Sequence, residues 1–120
     1  MSQPRLAQLP PALLPAVRIF ADEFDSHLEF LTTGIRLGEG GIDADPDTTK
    51  RLQHRFHTIR GSAGFFQLEA IRDAAHRGER LLDTKITQQN KEEILAALRA
   101  ELAVLQQEHA ALQRELSSMS

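Results

Sequence analysis

The stretch that decides the fold runs from Leu52 to Phe66 and reads L-Q-H-R-F-H-T-I-R-G-S-A-G-F-F. On a helix of about 3.6 residues per turn, His57, Gly61 and Gly64 share one side, with Arg60 at its border. The apolar residues fall together on the other side, which predicts a helix with one buried face: Leu52, Phe56, Ile59, Ala63 and Phe66.

The two glycines of this stretch are unusual inside a helix. A glycine in a helix interior costs about 1 kcal/mol relative to alanine. Gly61 and Gly64 lie beside the imidazole of His57 on the open side of the predicted helix. Their positions indicate close approach by something outside the helix, either a partner or another backbone.

Composition excludes several classes of protein. The 120 residues suit one domain with a core, and the absence of cysteine excludes disulfide chemistry and favours a reducing cytoplasm. No apolar run approaches the length of about 18 residues that predicts a membrane span. Residues 50–80 carry seven basic and three acidic residues. That balance suits an acidic partner or a phosphoryl group, but it is too weak to predict nucleic-acid binding.

Periodicity predicts an all-α chain, an antiparallel four-helix bundle forming one domain. A loose lead-in, with room for a short N-terminal helix, is expected over residues 1–14. Gly38, Gly40 and Gly41 would end the first helix, and Asp45-Pro46 is a typical start for the second. Thr87 or Asn90 would cap the last helix. The predicted helices span residues 15–37, 46–64, 67–83 and 87–117.

The last predicted helix carries a heptad pattern of apolar residues. Its simplest interpretation is a core seam of the bundle. A homodimeric coiled coil is the alternative, and it would make the chain a structural interaction module without phosphotransfer. The seam residues are Leu95, Leu98, Leu102, Leu105, His109, Leu112 and Leu116.

A family resemblance rests on two motifs. The run His57-Thr58-Ile59-Arg60-Gly61-Ser62-Ala63-Gly64 resembles the signature of histidine phosphotransfer (HPt) domains. The run Ala75–Asp83 is similar to a second element, a His and a Glu three residues apart, of the N-terminal phosphotransfer domain of chemotaxis histidine kinases. The resemblance extends over roughly Pro15 to Leu116, and it is most specific between Phe56 and Leu82.

The resemblance implies a role for each motif residue. His57 is the expected phosphoacceptor, and Arg60 is expected to pair with the phosphoryl oxygens. Glu79 would accept a hydrogen bond from Nδ1–H of His57 and leave the Nε2 lone pair outward. His76 would extend this network, and the two glycines would let a partner approach closely.

Three further positions carry expectations. Many family members have glycine ten residues after the histidine, where this chain has Gln67, so the geometry of that turn is in question. Phe65 and His54 are candidates for docking a partner, although Phe65 could equally pack in the core. His54 and His57 have the spacing of metal ligands, but no third or fourth ligand accompanies them, so no metal site is predicted.

The expected function is therefore that of a phosphoryl carrier. No glycine-rich phosphate loop is present, so the chain is predicted to be a kinase substrate without an ATP site. The phosphoryl group would come from the ATP-binding domain of a histidine kinase or from a receiver aspartate, and it would pass to a receiver aspartate. Mg²⁺ would be bound by the partner, and the chain itself would need no cofactor. A monomer is expected. Both a free-standing relay and the front domain of a longer kinase fit the sequence.

Overall fold

The computed structural model describes residues 6–37 and 46–119, and over them the chain is helical and contains no strand. This confirms the predicted all-α bundle. Two short 3-10 turns, Leu6–Gln8 and Pro11–Leu13, come first. They are followed by four helices: α1 (Leu14–Leu37), α2 (Pro46–Phe65), α3 (Glu69–Asp83) and α4 (Lys91–Ser118).

Contacts between α1 and α4 show that these two helices run antiparallel. Arg18, early in α1, donates a hydrogen bond from Nη2 to the carbonyl of Leu116, late in α4, at 3.4 Å. Thr32, late in α1, accepts one from Gln106, nearly three turns earlier in α4, also at 3.4 Å. No helix in the described part of the chain is long and apolar enough to cross a membrane.

The core forms where the apolar stripes of the four helices meet. Every apolar residue of the predicted α2 stripe is buried. The heptad seam of α4 is buried too, since its residues are at most 9% exposed. A seam that is used inside the bundle cannot also form a homodimeric coiled coil without opening the fold. The monomer's own core thus accounts for the heptad pattern.

The two histidines that fall in apolar stripes have structural partners. Nε2 of His109 donates to the carbonyl of Ala21 at 3.2 Å, and its ring meets Phe24 edge-on. Nδ1 of His27 lies 3.3 Å from Nη1 of Arg55, which places a donor on that nitrogen. Burial and the Arg55 charge lower the pKa of His27, so the neutral ring is favoured.

The lead-in takes the more ordered of the forms that were predicted. A loose segment with room for a short N-terminal helix was expected over residues 1–14, and two short 3-10 turns lie within it. Leu6 is buried and its backbone N–H donates to Glu115 Oε1 at 2.6 Å. Burial of Leu6 holds the segment on the end of α4, a contact that periodicity could not predict.

The turn between α2 and α3 also differs from its prediction. The third helix was expected to begin at residue 67, but Gln67 has a left-handed backbone with φ of 60° and α3 begins at Glu69. The amide of Leu68 bonds the Ala63 carbonyl at 2.8 Å, and that of Gln67 bonds Gly64 at 3.2 Å. These two bonds make a Schellman motif, whose left-handed position normally favours glycine. Gln67 therefore occupies a glycine-type conformation.

The last helix begins later than predicted, at Lys91 instead of residue 87. The side chain of Thr87 accepts from the Asn90 amide at 3.3 Å, and Asn90 Oδ1 accepts from the Thr87 amide at 2.7 Å. This reciprocal pair closes a turn over residues 87–90, and the Lys91 amide bonds the Thr87 carbonyl at 3.0 Å. Thr87 thus caps the turn that leads into the helix, as predicted, and only the start of the regular helix differs. The predicted cap at Asp45 and the glycines at 38, 40 and 41 lie outside the described residues.

Candidate functional site

The site is built around His57, which α2 holds on the outside of the bundle. The preceding residue, Phe56, is fully buried, so the helix turns His57 outward and leaves its side chain 56% exposed. Nδ1 of His57 lies 2.9 Å from Oε2 of Glu79 on α3. The imidazole is thus held by a hydrogen bond at Nδ1, and its Nε2 faces away from Glu79.

Glu79 is the least exposed member of the site, with a side chain only 19% exposed. Its second oxygen, Oε1, accepts a hydrogen bond from Nε of Arg60 at 2.8 Å. Burial raises the pKa of the Glu79 carboxyl, but the hydrogen bonds from His57 and Arg60 lower it by more, and the pKa lies below its ordinary value. Glu79 is therefore ionised at neutral pH.

The charge of Glu79 decides the tautomer of His57. An ionised carboxylate can only accept hydrogen bonds, so the proton of the neutral imidazole must sit on Nδ1. Nε2 then carries the lone pair, and it makes no hydrogen bond with the described residues. An exposed, unprotonated ring nitrogen is a competent nucleophile.

Arg60 lies between the carboxylate and the ring. Its Nη2 is 2.9 Å from His57 Nδ1, the same nitrogen that faces Glu79. Both contacts cannot be hydrogen bonds to one nitrogen, since Nδ1–H donates to Glu79 and has no lone pair left for Arg60. We assign the bond to Glu79, because a charged acceptor makes the stronger hydrogen bond. Arg60 is thus bound to Glu79 through Nε, with Nη2 close to the imidazole.

The two glycines of the open face differ in their surroundings. A Cβ on Gly61 would meet no atom within 4 Å. A Cβ on Gly64 would lie 3.5 Å from Cδ of Arg72, an ordinary contact distance. Nothing within the described part of the chain therefore requires a missing side chain at either position.

Comparison with known families agrees with this geometry. The sequence model of the Hpt domain family matches residues 15–115, and this range reaches into all four helices. The chain belongs to the Hpt domain family. Members of this family carry phosphoryl groups in phosphorelays and interact with kinase and receiver domains. The chain has no significant match among curated proteins or solved structures.

The other predicted site residues of this Hpt domain lie around the histidine without joining its network. His76 on α3 is exposed and makes no hydrogen bond within the described residues, so the expected extension of the network is not present. His54 is exposed beside a groove between α1 and α2 that His27 and Arg55 also line. Phe65 is 68% exposed, so it lies on the surface and not in the core.

His54 and His57 lie on the same helix at the spacing of metal ligands. No group of three or more histidine, cysteine, aspartate or glutamate side chains among residues 6–37 and 46–119 could hold a metal ion. Within those residues, the hydrogen-bond partners of the His57 ring are Glu79 and Arg60.

Two features of the Hpt site were missed from the sequence. One is the ion pair of Arg60 with Glu79, because Arg60 was assigned to the phosphoryl group alone. The other is Gly78 on α3, whose contact with Phe56 was not predicted. A glycine inside a buried stripe, with a phenylalanine on the neighbouring helix, is the signal that could have revealed it.

Proposed function

We propose that His57 accepts a phosphoryl group from the ATP-binding domain of a histidine kinase or from a receiver aspartate, and passes it to a receiver aspartate. The observation that carries this proposal is the 2.9 Å contact of His57 Nδ1 with Glu79 Oε2, which leaves Nε2 unprotonated and exposed in a chain of the Hpt family. Arg60, on the same helix, supplies the nearest cation.

The transfer step uses the lone pair of Nε2. That lone pair forms the N–P bond, while the bond from phosphorus to the donor oxygen breaks and its electron pair leaves with the donor. The proton on Nδ1 stays in place, so the ring becomes positively charged as the N–P bond forms. The Glu79 carboxylate stabilises that charge through the same hydrogen bond. Transfer to the receiver reverses these changes, and the cationic ring is a good leaving group.

Arg60 contributes in two ways. In the resting state its Nε is bonded to Glu79, which holds the carboxylate in place for His57. Its Nη2 lies near the ring and can reach phosphoryl oxygens on Nε2 after a small rotation of the guanidinium. A lysine has a single ammonium in place of this fork, so it cannot bond Glu79 and the phosphoryl group with the same geometry.

The outer face of α2 is the surface on which we expect a receiver to dock. Gly61 exposes backbone near the histidine, and Phe65, which is about one turn further on, offers an exposed aromatic ring. His54 continues the same side of the helix in the other direction. An exposed aromatic beside open backbone suits a protein partner that comes within contact distance of the helix.

Several narrower assignments belong to this proposal. The His76 and Glu79 spacing favours the chemotaxis-kinase branch of phosphotransfer domains for this chain, so the donor that we propose is the ATP-binding domain of a chemotaxis-type kinase. Mg²⁺ is assigned to the partner, since phosphoryl transfer needs a cation at the donor phosphate or receiver aspartate. The module works as a monomer, in a reducing cytoplasm, because the α4 seam is used internally and cysteine is absent.

The test is phosphoryl transfer to the wild type and to the His57→Gln variant. The donors are a chemotaxis-type kinase ATP-binding domain with ATP and, separately, a phosphorylated receiver. The matched controls are His54→Gln and His76→Gln, which replace exposed histidines on α2 and α3. We expect acid-labile, base-stable label on the wild type and both controls, and none on His57→Gln.

One result would overturn the assignment. Normal label on His57→Gln would show that the acceptor is another residue, and loss of label in only one of the variants His54→Gln and His76→Gln would identify that residue. Loss of label counts as loss of the acceptor only if the circular dichroism spectrum of the variant matches that of the wild type. Thermal unfolding of all three variants is therefore measured beside transfer.

A further inference from the structure

Gly78 of α3 packs against the ring of Phe56 on α2. It is buried, and a Cβ built on it would lie 2.5 Å from Cε1, 2.7 Å from Cδ1 and 2.8 Å from Cζ of Phe56. Carbon atoms in contact are about 3.5–4.0 Å apart. The edge of the Phe56 ring therefore occupies the volume that a side chain at position 78 would fill.

This contact lies directly beneath the site. Phe56 precedes His57 on α2, and Gly78 precedes Glu79 on α3. The distance between the two backbones at the Phe56–Gly78 level thus sets how far Glu79 must reach. At the present separation the Glu79 carboxylate meets Nδ1 of His57 at 2.9 Å.

We propose that Gly78 is a positioning residue for the phosphotransfer site. Its missing Cβ lets the Phe56 ring seat against α3, and that seating brings Glu79 within hydrogen-bond distance of His57. The effect on the hydrogen bond and on the tautomer of His57 stands on geometry alone, whereas the effect on phosphoryl transfer rests on the proposed function.

The size of the displacement supports this role. To restore a contact of about 3.5 Å, an alanine at position 78 must move relative to the Phe56 ring by about 1 Å. A shift of about 1 Å added to the 2.9 Å contact of His57 with Glu79 takes it beyond hydrogen-bond range. Phe56 has little freedom to rotate away, because it is fully buried in a packed core.

The chain offers a matched control on the same buried stripe of α2, where it meets α1 instead of α3. A Cβ on Gly34 of α1 would lie 2.6 Å from Cδ2 of Leu52, which is buried one turn before Phe56. Gly34→Ala therefore adds the same methyl group against the same helix, but from α1. It leaves the pairing of α3 with His57 untouched.

The experiment compares three variants. Two are single changes, Gly78→Ala and Gly34→Ala, and the third is a double variant that carries both Phe56→Leu and Gly78→Ala. Leucine lacks Cε1 and Cζ, which are two of the three ring atoms that lie within 2.8 Å of the added methyl group, and its shorter side chain can turn its remaining methyl groups away. The ¹⁵N shifts of the His57 ring are measured at a pH where the imidazole is neutral, because they report which nitrogen carries the proton. The ionisation of Glu79 by ¹³C NMR, thermal unfolding and the rate of phosphoryl transfer are measured on the same samples.

We expect the wild type and Gly34→Ala to hold the proton on Nδ1 of His57. Gly78→Ala should shift the proton toward Nε2, raise the pKa of Glu79 toward its ordinary value, and slow phosphoryl transfer about a hundredfold. The double variant should recover the Nδ1–H tautomer. If Gly78→Ala fails to fold, recovery of both folding and the Nδ1–H tautomer in the double variant would still show that the contact of Phe56 with position 78 positions Glu79.

Three outcomes would refute the positioning role. A wild-type tautomer in folded Gly78→Ala would reduce Gly78 to a packing residue, even if stability fell. An equal tautomer shift in Gly34→Ala would mean that any core strain disturbs the site. A double variant that folds but keeps the altered tautomer would remove Phe56 from the argument. If the tautomer moves as expected but no sample takes up phosphate, the proposed function fails and the positioning role stands.

Discussion

The four glycines in the described helices divide into an inward pair and an outward pair. Gly34 and Gly78 face core side chains that already occupy the space of a Cβ, at 2.6 and 2.5 Å. Gly61 has nothing within 4 Å of that position, and Gly64 has only an ordinary contact with Arg72. Each helical glycine costs about 1 kcal/mol relative to alanine. Internal packing explains the first pair but not the second.

The difference shows that the two faces of α2 have different packing requirements. The inner face fits against α1 and α3, where large residues of α2, Leu52 and Phe56, are matched by the glycines Gly34 and Gly78 on the neighbouring helices. The outer face carries His57 and is not filled from within the described chain. Packing among the described residues gives no reason for glycine on that face, and the close approach of a docking partner is the reason that we propose.

The largest effect is expected on the inner face. Phe56→Ala removes a fully buried ring, and we expect it to lower the free energy of unfolding by about 3–5 kcal/mol. Its neighbour in sequence, His57→Gln, should change that free energy by about 0.5 kcal/mol or less, because the side chain is exposed. Urea denaturation of the two variants, analysed with the same m value, measures both changes in the free energy of unfolding. Equal losses would contradict the division of α2 into two faces.

On the outer face, stability and function should move in opposite directions. Gly61→Leu should raise the free energy of unfolding by about 0.5–1 kcal/mol, since leucine favours the helix and meets open space. It should also slow transfer to a receiver by obstructing close approach. Ala100→Leu, an exposed change on α4, is the control and should leave transfer unaltered. Unchanged transfer in Gly61→Leu would mean that no partner needs this glycine.

A glycine at position 67 is expected to raise the free energy of unfolding, because this turn position favours glycine and the chain has Gln67 there. Gln67 holds a φ of 60°, a region that costs a side-chain-bearing residue about 1–2 kcal/mol. Gln67→Gly should remove most of this cost, less the added freedom of the unfolded chain, for a net gain of about 0.5–1 kcal/mol. The same replacement inside a helix, Gln107→Gly, should instead lose about 1 kcal/mol. Denaturant midpoints of the two variants should therefore shift in opposite directions.

The smallest expected effect is the pH dependence contributed by Glu79. Its pKa is lowered on folding from an ordinary value of 4.5, so the unfolded chain takes up this proton at a higher pH than the folded chain. Its stabilisation is therefore complete above about pH 4.5 and is lost as pH falls through the folded pKa. The difference in unfolding free energy between wild type and Glu79→Gln should shrink over that range. A difference that grows on acidification would contradict the hydrogen-bonded, ionised carboxylate.

Much of the architecture was readable from the sequence because it depends on local periodicity. The inner stripe of α2 and the seam of α4 were predicted and are buried throughout. Boundaries were less accurate where a turn has its own hydrogen bonds. Gln67 and Leu68 form a Schellman motif with α2, and Thr87 and Asn90 bond each other. Neither arrangement has a periodic signal.

The candidate site likewise has features that the sequence could predict and features that it could not. The motif around His57 predicts the phosphoacceptor without any structure, and the Hpt match shows the family to which the chain belongs. The partner of Arg60 required coordinates, since periodicity placed Arg60 beside His57 but gave no information on its contact with Glu79, 19 residues away. Likewise, the expected contribution of His76 to the network is absent although its spacing matched the motif.

The sequence by itself determined that this chain forms helices with one apolar stripe each, and that His57 faces outward among glycines. Those properties follow from residue spacing along a single helix. Only the tertiary structure decided that Phe56 fills the space beside Gly78, and that the expected contact of Glu79 with Nδ1 of His57 forms, at 2.9 Å. The physical reason is that a hydrogen bond tolerates an error of only a few tenths of an ångström. The separation of two packed helices is set at that precision by side-chain contacts and not by periodicity.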